Sequence, residues 1–251
     1  MSGRSGSTSG GVPFLHEKRI KEEADLLLAE YGQRHQPVVA PPVPVEDILE
    51  IHLQLLFEIA DLRAQFGFAD VLGAIWINEQ TVRVDQSLEP TSNPKKLGRY
   101  RFTLAHEIGH WRLHRSLYLE NAAQGKLFGA PGAPAYVCRK AEAKKPVEWQ
   151  ADQFAANLLM PAALVKSAWS GWRGSLDPVV LDDIRGDHEE EARRRVEAFG
   201  DPSQSDQIDS AILELFAKPM ADRFQVSPQS MRIALESSGW LLRKRELSLF
   251  S

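Results

Sequence analysis

The chain has 251 residues, enough for one large domain or two small ones, and its 43% hydrophobic and 25% charged content is that of an ordinary globular protein. Its 30 Lys and Arg against 34 Asp and Glu leave a net charge of −4, which gives no electrostatic footprint for nucleic acid; no direct nucleic-acid partner is expected. The lone cysteine, Cys138, allows no intramolecular disulfide, no apolar run approaches the roughly 18 residues of a membrane span, and the Ser/Gly-rich start lacks a signal peptide's apolar stretch, so a cytoplasmic protein without a membrane partner is expected.

In chain order, residues 1–15 read as a disordered tail. Residues 16–31 read as a helix with Ile20, Ala24, Leu27 and Tyr31 on one stripe, ended by Gly32. Pro37, Pro41, Pro42 and Pro44 mark an extended linker, and a short helix starts near Pro44 with Glu46 and Asp47 in its first turn. Residues 54–59 look like a strand, and 71–77 with 81–84 form a hairpin around Asn78-Glu79-Gln80. That hairpin is read as packing on the core, with pairing to an extended peptide as a further use. A helix then runs from Lys96 or Arg99 to Tyr118, a Gly/Pro-rich loop spans 121–145, and a third helix begins at Pro146. Residues 171–205 are charged and weakly patterned, with 189–195 a mixed-charge helix face. Residues 209–216 and 219–224 read as helical, followed by a turn, Ser227 as an N-cap and a helix over 228–237. Domain boundaries are placed at 16–200 and 201–251.

The chemistry-bearing stretch is His106-Glu107-Ile108-Gly109-His110. On a helix, histidines at i and i+4 project from one face and grip one metal ion. Glu107 follows the first of them, placed to take a proton from a water on that ion. Zinc lowers the pKa of such a water from about 16 to about 7. So short a pattern also arises by chance, and its context decides. Leu104, Ile108, Trp111 and Leu113 offer an anchoring flank, and a third ligand is required.

Glu148 and Asp152 repeat the i, i+4 spacing on the third helix. Alone, they read as solvated charges on an amphipathic helix. Beside the two histidines, Glu148 reads as the third ligand and Asp152 as the carboxylate that accepts a ligand histidine's outer N–H. Zn²⁺ is the expected metal, with Mn²⁺ compatible. His114 lies too far along the axis to share the ion and is given a supporting or packing role. Cys138 reads as an ordinary thiol, with inhibitory binding to the metal as a lesser alternative. Tyr100, Arg112 and Tyr136 are candidates to stabilise an oxyanion. His16, His35, His52 and His188 read as surface residues.

The segments Phe102-Thr-Leu-Ala-His-Glu-Ile-Gly-His-Trp-Arg-Leu-His114 and Glu148-Trp-Gln-Ala-Asp-Gln-Phe-Ala-Ala-Asn-Leu-Leu-Met-Pro161 resemble the two signature segments of the ImmA/IrrE family of metallopeptidases. Weaker likeness lies in Leu72-Gly-Ala-Ile-Trp-Ile77 and in 221–236, so that the resemblance spans residues 16–240. It implies an α+β, zincin-like (gluzincin-like) core in which a small antiparallel sheet carries the HEXXH helix and a second ligand helix, plus a C-terminal helix-turn-helix-like unit. It further implies His106, His110 and Glu148 as metal ligands, Glu107 as general base, and a helix-turn-helix repressor as the protein substrate, whose cleavage derepresses a mobile element or a stress regulon. The competing expectation is a regulator that binds DNA or a partner through residues 219–239 without peptidase activity. Against it, Arg232 is the lone cation of 228–237, where phosphate and base contacts need several.

Overall fold

The computed structural model describes residues 13–124, 132–139, 141, 145–199 and 205–244. The expected N-terminal tail, apart from residues 13–15, and much of the expected 121–145 loop lie outside the described residues. The chain packs as two compact units, Met1–Pro161 and Ala162–Ser251. That division falls at Pro161 instead of near residue 200, because the charged stretch beyond it folds with the C-terminal helices.

In the first unit, α1 (Glu17–Arg34) is capped by His16, whose Nδ1 accepts from the Lys18 N–H at 3.3 Å. Ile20, Ala24, Leu27 and Tyr31 are its buried residues, as their spacing requires, but the helix continues past Gly32. A helical turn, α2 (Val45–Asp47), continues as a π-turn over Ile48–His52. His52 is buried, in edge contact with the rings of Tyr31 and His35, and is not the surface residue expected. Strand β1 (Leu56–Ala60), the short α3 (Leu62–Phe66), β2 (Val71–Trp76) and β3 (Thr81–Asp85) follow. Then come the long α4 (Leu97–Ala123), β4 (Tyr136–Arg139) and α5 (Pro146–Leu159).

The sheet order is β1-β3-β2-β4. The hairpin is present as β2–β3, with β4 antiparallel on the other edge of β2. The sheet is not wholly antiparallel: β1 pairs in parallel with β3, since the chain crosses over through α3 and β3 returns between β1 and β2. Both edges of β2 are therefore occupied by strands of the chain itself, which removes this strand as a place for an added peptide. One face of the hairpin packs on α4. The other buries Val71, Ala74 and Trp76 against Leu62 of α3.

Helix α4 is tied down on several sides. Leu104 and Ile108 are buried. The buried Arg101 donates to Glu46 at 3.2 Å and to the Val43 carbonyl, and Arg112 makes a two-pronged pair with Glu30 of α1 at 2.8 and 3.2 Å. The contact that matters most for the site is with α5. A Cβ on Gly109 would stand 3.1 Å from the Ala151 Cα and 3.2 Å from its carbonyl oxygen. A glycine facing an alanine lets the two backbones approach more closely than side chains ordinarily permit.

In the second unit, α6 (Ala162–Arg173), β5 (Val179–Val180), α7 (Leu181–Phe199), α8 (Ser205–Phe224), α9 (Pro228–Ser237) and β6 (Leu241–Leu242) enclose a second core. Trp169, fully buried, stacks on Trp240 and meets Trp172 and Phe216 edge-on. The mixed-charge face on α7 forms i, i+4 pairs at Glu189–Arg193 and Glu191–Arg195. Residues 209–216 and 219–224 are helical, joined in one helix, α8, that runs through Pro219. Ser227 caps α9 by accepting the Ser230 N–H at 3.0 Å. Among the described residues, no helix is long and apolar enough to cross a membrane.

The α4–α5 contact makes a direct prediction. Gly109→Val forces side-chain bulk against the Ala151 backbone and should cost about 1–3 kcal/mol. Urea unfolding should show a lower midpoint with far-ultraviolet helicity retained in buffer; an unchanged midpoint contradicts the close-approach account.

Candidate metal centre

The α4–α5 contact brings four of the expected residues together. The Nε2 atoms of His106 and His110 stand 3.0 Å apart. Glu148 on α5 places Oε2 at 3.2 Å from His106 Nε2 and Oε1 at 3.6 Å from His110 Nε2. All three residues are buried, and their ligand atoms lie within 4.8 Å of one another. Asp152, one turn on, meets His106 Nδ1 at 2.8 Å.

The proton positions follow from the partners, by an assignment that starts at a main-chain carbonyl. Gln150 Nε2 donates to the Pro13 carbonyl at 2.9 Å, which orients its amide and leaves Oε1 to accept from His114 Nε2 at 3.0 Å. His114 Nδ1 then accepts from His110 Nδ1 at 3.0 Å. That chain commits the His110 proton to Nδ1 and leaves a lone pair on Nε2. Asp152 does the same for His106. Two imine lone pairs and a carboxylate thus converge with no donor among them, an arrangement that repels itself unless a cation sits in its midst. The donor set, two histidines and a glutamate with outer N–H groups held by further partners, suits a divalent ion such as zinc.

The charge states agree. Burial works against a charged His106, yet Cys138, Asp152 and Glu148 around it raise its pKa well above the ordinary value. The demand is for a positive charge, and a proton is the smallest one available. Burial lowers His110 to about 3, keeping it a neutral donor. Burial also opposes ionisation of Glu148, but the His106 and His110 rings beside it prevail and bring it down to about 2.

Glu107 is fully buried, and neither of its carboxylate oxygens has a hydrogen-bond partner among the described residues. Burial raises its pKa to about 8. Unpartnered buried carboxylates are costly and need a ligand or water to complete them. The space for it exists because position 73 is glycine: a Cβ there would lie 2.7 Å from Glu107 Oε1 and 2.6 Å from Thr103 Cγ2.

Of the three oxyanion candidates, Tyr136 stands at the centre, its ring stacked on His110 at 4.4 Å with a 4° interplanar angle. Arg112 is engaged by Glu30 and Glu23 on α1, and Tyr100 lies edge-on to Phe57. His114 supports His110 from behind, as its spacing implied. Gln150, Gly73 and Gly109 were not singled out from the sequence. Gln150 has no motif of its own, and the need of His114 for an acceptor was its one signal. A cleft of about 360 Å³ opens beside Glu148 and Tyr136, with Phe66, Phe68, Val137 and Val147 on its walls.

The relay behind His110 is testable. Gln150→Leu should weaken zinc binding by about 10- to 100-fold, the usual effect of losing an outer partner of a ligand histidine. Competition with a chromophoric chelator measures it; unchanged affinity contradicts the proton assignment.

No curated protein matches the chain significantly. Residues 92–180 match the family model described as Peptidase_M78, IrrE N-terminal-like domain. The matched segment contains all of His106, Glu107, His110, Glu148 and Asp152. Over residues 92–180 the chain is thus similar to the IrrE N-terminal-like domain of the Peptidase_M78 family, in agreement with the resemblance noted from its two signature segments.

Proposed function

We propose that the protein is a cytoplasmic, zinc-dependent endopeptidase that hydrolyses a peptide bond in a protein substrate, a helix-turn-helix transcriptional repressor, and so regulates a mobile-element or stress-response operon. The observation that carries the metallopeptidase part is the convergence of His106 Nε2, His110 Nε2 and Glu148 on one point, with the unpartnered Glu107 carboxylate beside it. The peptidase family of residues 92–180 supports the reaction class. The repressor substrate rests on resemblance to the ImmA/IrrE family.

His106, His110 and Glu148 hold the ion. When bound, it supplies Lewis-acid polarisation of a carbonyl and lowers the pKa of a water molecule. Asp152 and the His114–Gln150 pair keep both imidazole rings in the tautomer that presents Nε2. Glu107 takes the proton of the attacking water on a carboxylate oxygen and returns it to the departing amine nitrogen. Its burial keeps bulk water from competing for that oxygen. Tyr136 keeps the His110 ring flat against β4.

A regulator acting through the C-terminal helices draws less support. Arg232, the lone cation of α9, is drawn to Glu214 and Glu236, and Arg243 is bonded to Glu236 and Ser210. Those guanidinium groups would have to leave carboxylates to meet phosphate.

The test is incubation of the purified, zinc-loaded protein with a helix-turn-helix repressor encoded beside its gene. Cleavage between the two domains of that repressor is expected. Glu107→Gln should retain one zinc per chain and lose about 10²- to 10⁴-fold in rate. Full activity in Glu107→Gln contradicts the assigned base; an intact repressor alongside cleavage of another protein contradicts the substrate alone.

A further inference from the structure

Cys138 stands where an ordinary core thiol would not. Its Sγ, a ring nitrogen of His106 and a carboxylate oxygen of Glu107 lie within 4.8 Å of one another. His106 belongs at the same time to the His106, His110, Glu148 group. The thiol therefore shares His106 with the metal position and lies on its Glu107 side.

The strand register explains the placement. Cys138 pairs with Gly73 and Tyr136 with Ile75 across β4 and β2. Residues two apart on a strand share a face, so Tyr136 and Cys138 point the same way. Tyr136 lies on the His110 ring and Cys138 faces His106, so β4 presents one side chain to each ligand histidine. The glycine at 73 leaves room for Glu107 to pass beside the thiol. Glu107 is itself fully buried, with both oxygens unpartnered among the described residues, which marks this corner as built around something it binds.

We propose that Cys138 is a displaceable fourth ligand to the metal and holds the centre latent; this rests on the metal reading given above. On ligation the thiol releases its proton to solvent and a sulfur–metal bond forms, with no change in oxidation state. Four protein ligands make the closed, tetrahedral set of a structural site, whereas catalysis needs one position free. With the sulfur bound, neither water nor a carbonyl reaches the ion; when it leaves, that position opens next to Glu107. A soft thiolate in the set also favours zinc over manganese.

Cobalt(II) loading of the full-length protein tests this by absorption. The wild type should show visible d–d bands together with a near-ultraviolet thiolate-to-cobalt charge-transfer band. Cys138→Ala should lose the near-ultraviolet band, keep the visible ones, and, loaded with zinc, cleave substrate faster than the wild type. Should Cys138→Ala fail to fold, Cys138→Ser gives the same comparison. Visible bands without the charge-transfer band in the wild type overturn the fourth ligand and leave the three-ligand centre standing. Absence of both overturns the two together. A charge-transfer band with no gain of activity in the variant overturns latency.

Discussion

The close approach of α4 and α5 at Gly109 and Ala151 is the contact on which the rest of the centre depends. Two histidines one turn apart on α4 are half of the candidate metal site, and the other half sits on a helix more than thirty residues later in the chain. Only when the backbones nearly touch can the short Glu148 side chain reach both imidazoles and Asp152 reach the outer nitrogen of His106. The packing of α1 against α4 and α5 and the Arg112–Glu30 pair hold this contact from one side, and the β2–β3 hairpin holds α4 from the other.

Given that contact, electrostatics sets the character of the site. Each ligand histidine has its proton drawn outward, by Asp152 or through His114 to Gln150, so the inward nitrogens are lone-pair donors in a buried place. The arrangement has a net appetite for positive charge. Glu107 meets a different environment a few ångströms away, buried and without a hydrogen-bond partner among the described residues, where a carboxylate takes up a proton readily. A cation-seeking cluster beside a proton-seeking carboxylate is the division of labour that hydrolysis at a metal requires.

Much of this was legible in the sequence, for identifiable reasons. The i, i+4 spacings of His106/His110 and Glu148/Asp152 are local, and helical geometry alone puts each pair on one face. The stripe of Ile20, Ala24, Leu27 and Tyr31 is equally local, and it is the buried face of α1. What escaped was non-local. Tyr136–Arg139 sits in a Gly/Pro-rich stretch and becomes a strand only because β2 offers an open edge. With that strand in place, β2 has no edge left for a peptide, and Cys138 moves from an unremarkable loop thiol to the corner of the metal site. The parallel β1–β3 pairing depends on the crossover through α3, which no single strand's pattern encodes. Helix α8 joins the two stretches 209–216 and 219–224 through Pro219, carried by buried Leu215, Phe216, Met220 and Phe224 on both sides. Gln150 owes its role to Pro13, 137 positions away.

The central claim is that His106, His110 and Glu148 form one metal-binding point between α4 and α5. Crystals of zinc-loaded protein, with diffraction recorded on both sides of the zinc absorption edge, test it most directly. The account predicts one strong anomalous peak per chain, bonded to both Nε2 atoms and to the Glu148 carboxylate at zinc–ligand distances of about 2.0–2.2 Å. A peak bound elsewhere, or none in protein that binds zinc stoichiometrically in solution, would contradict it.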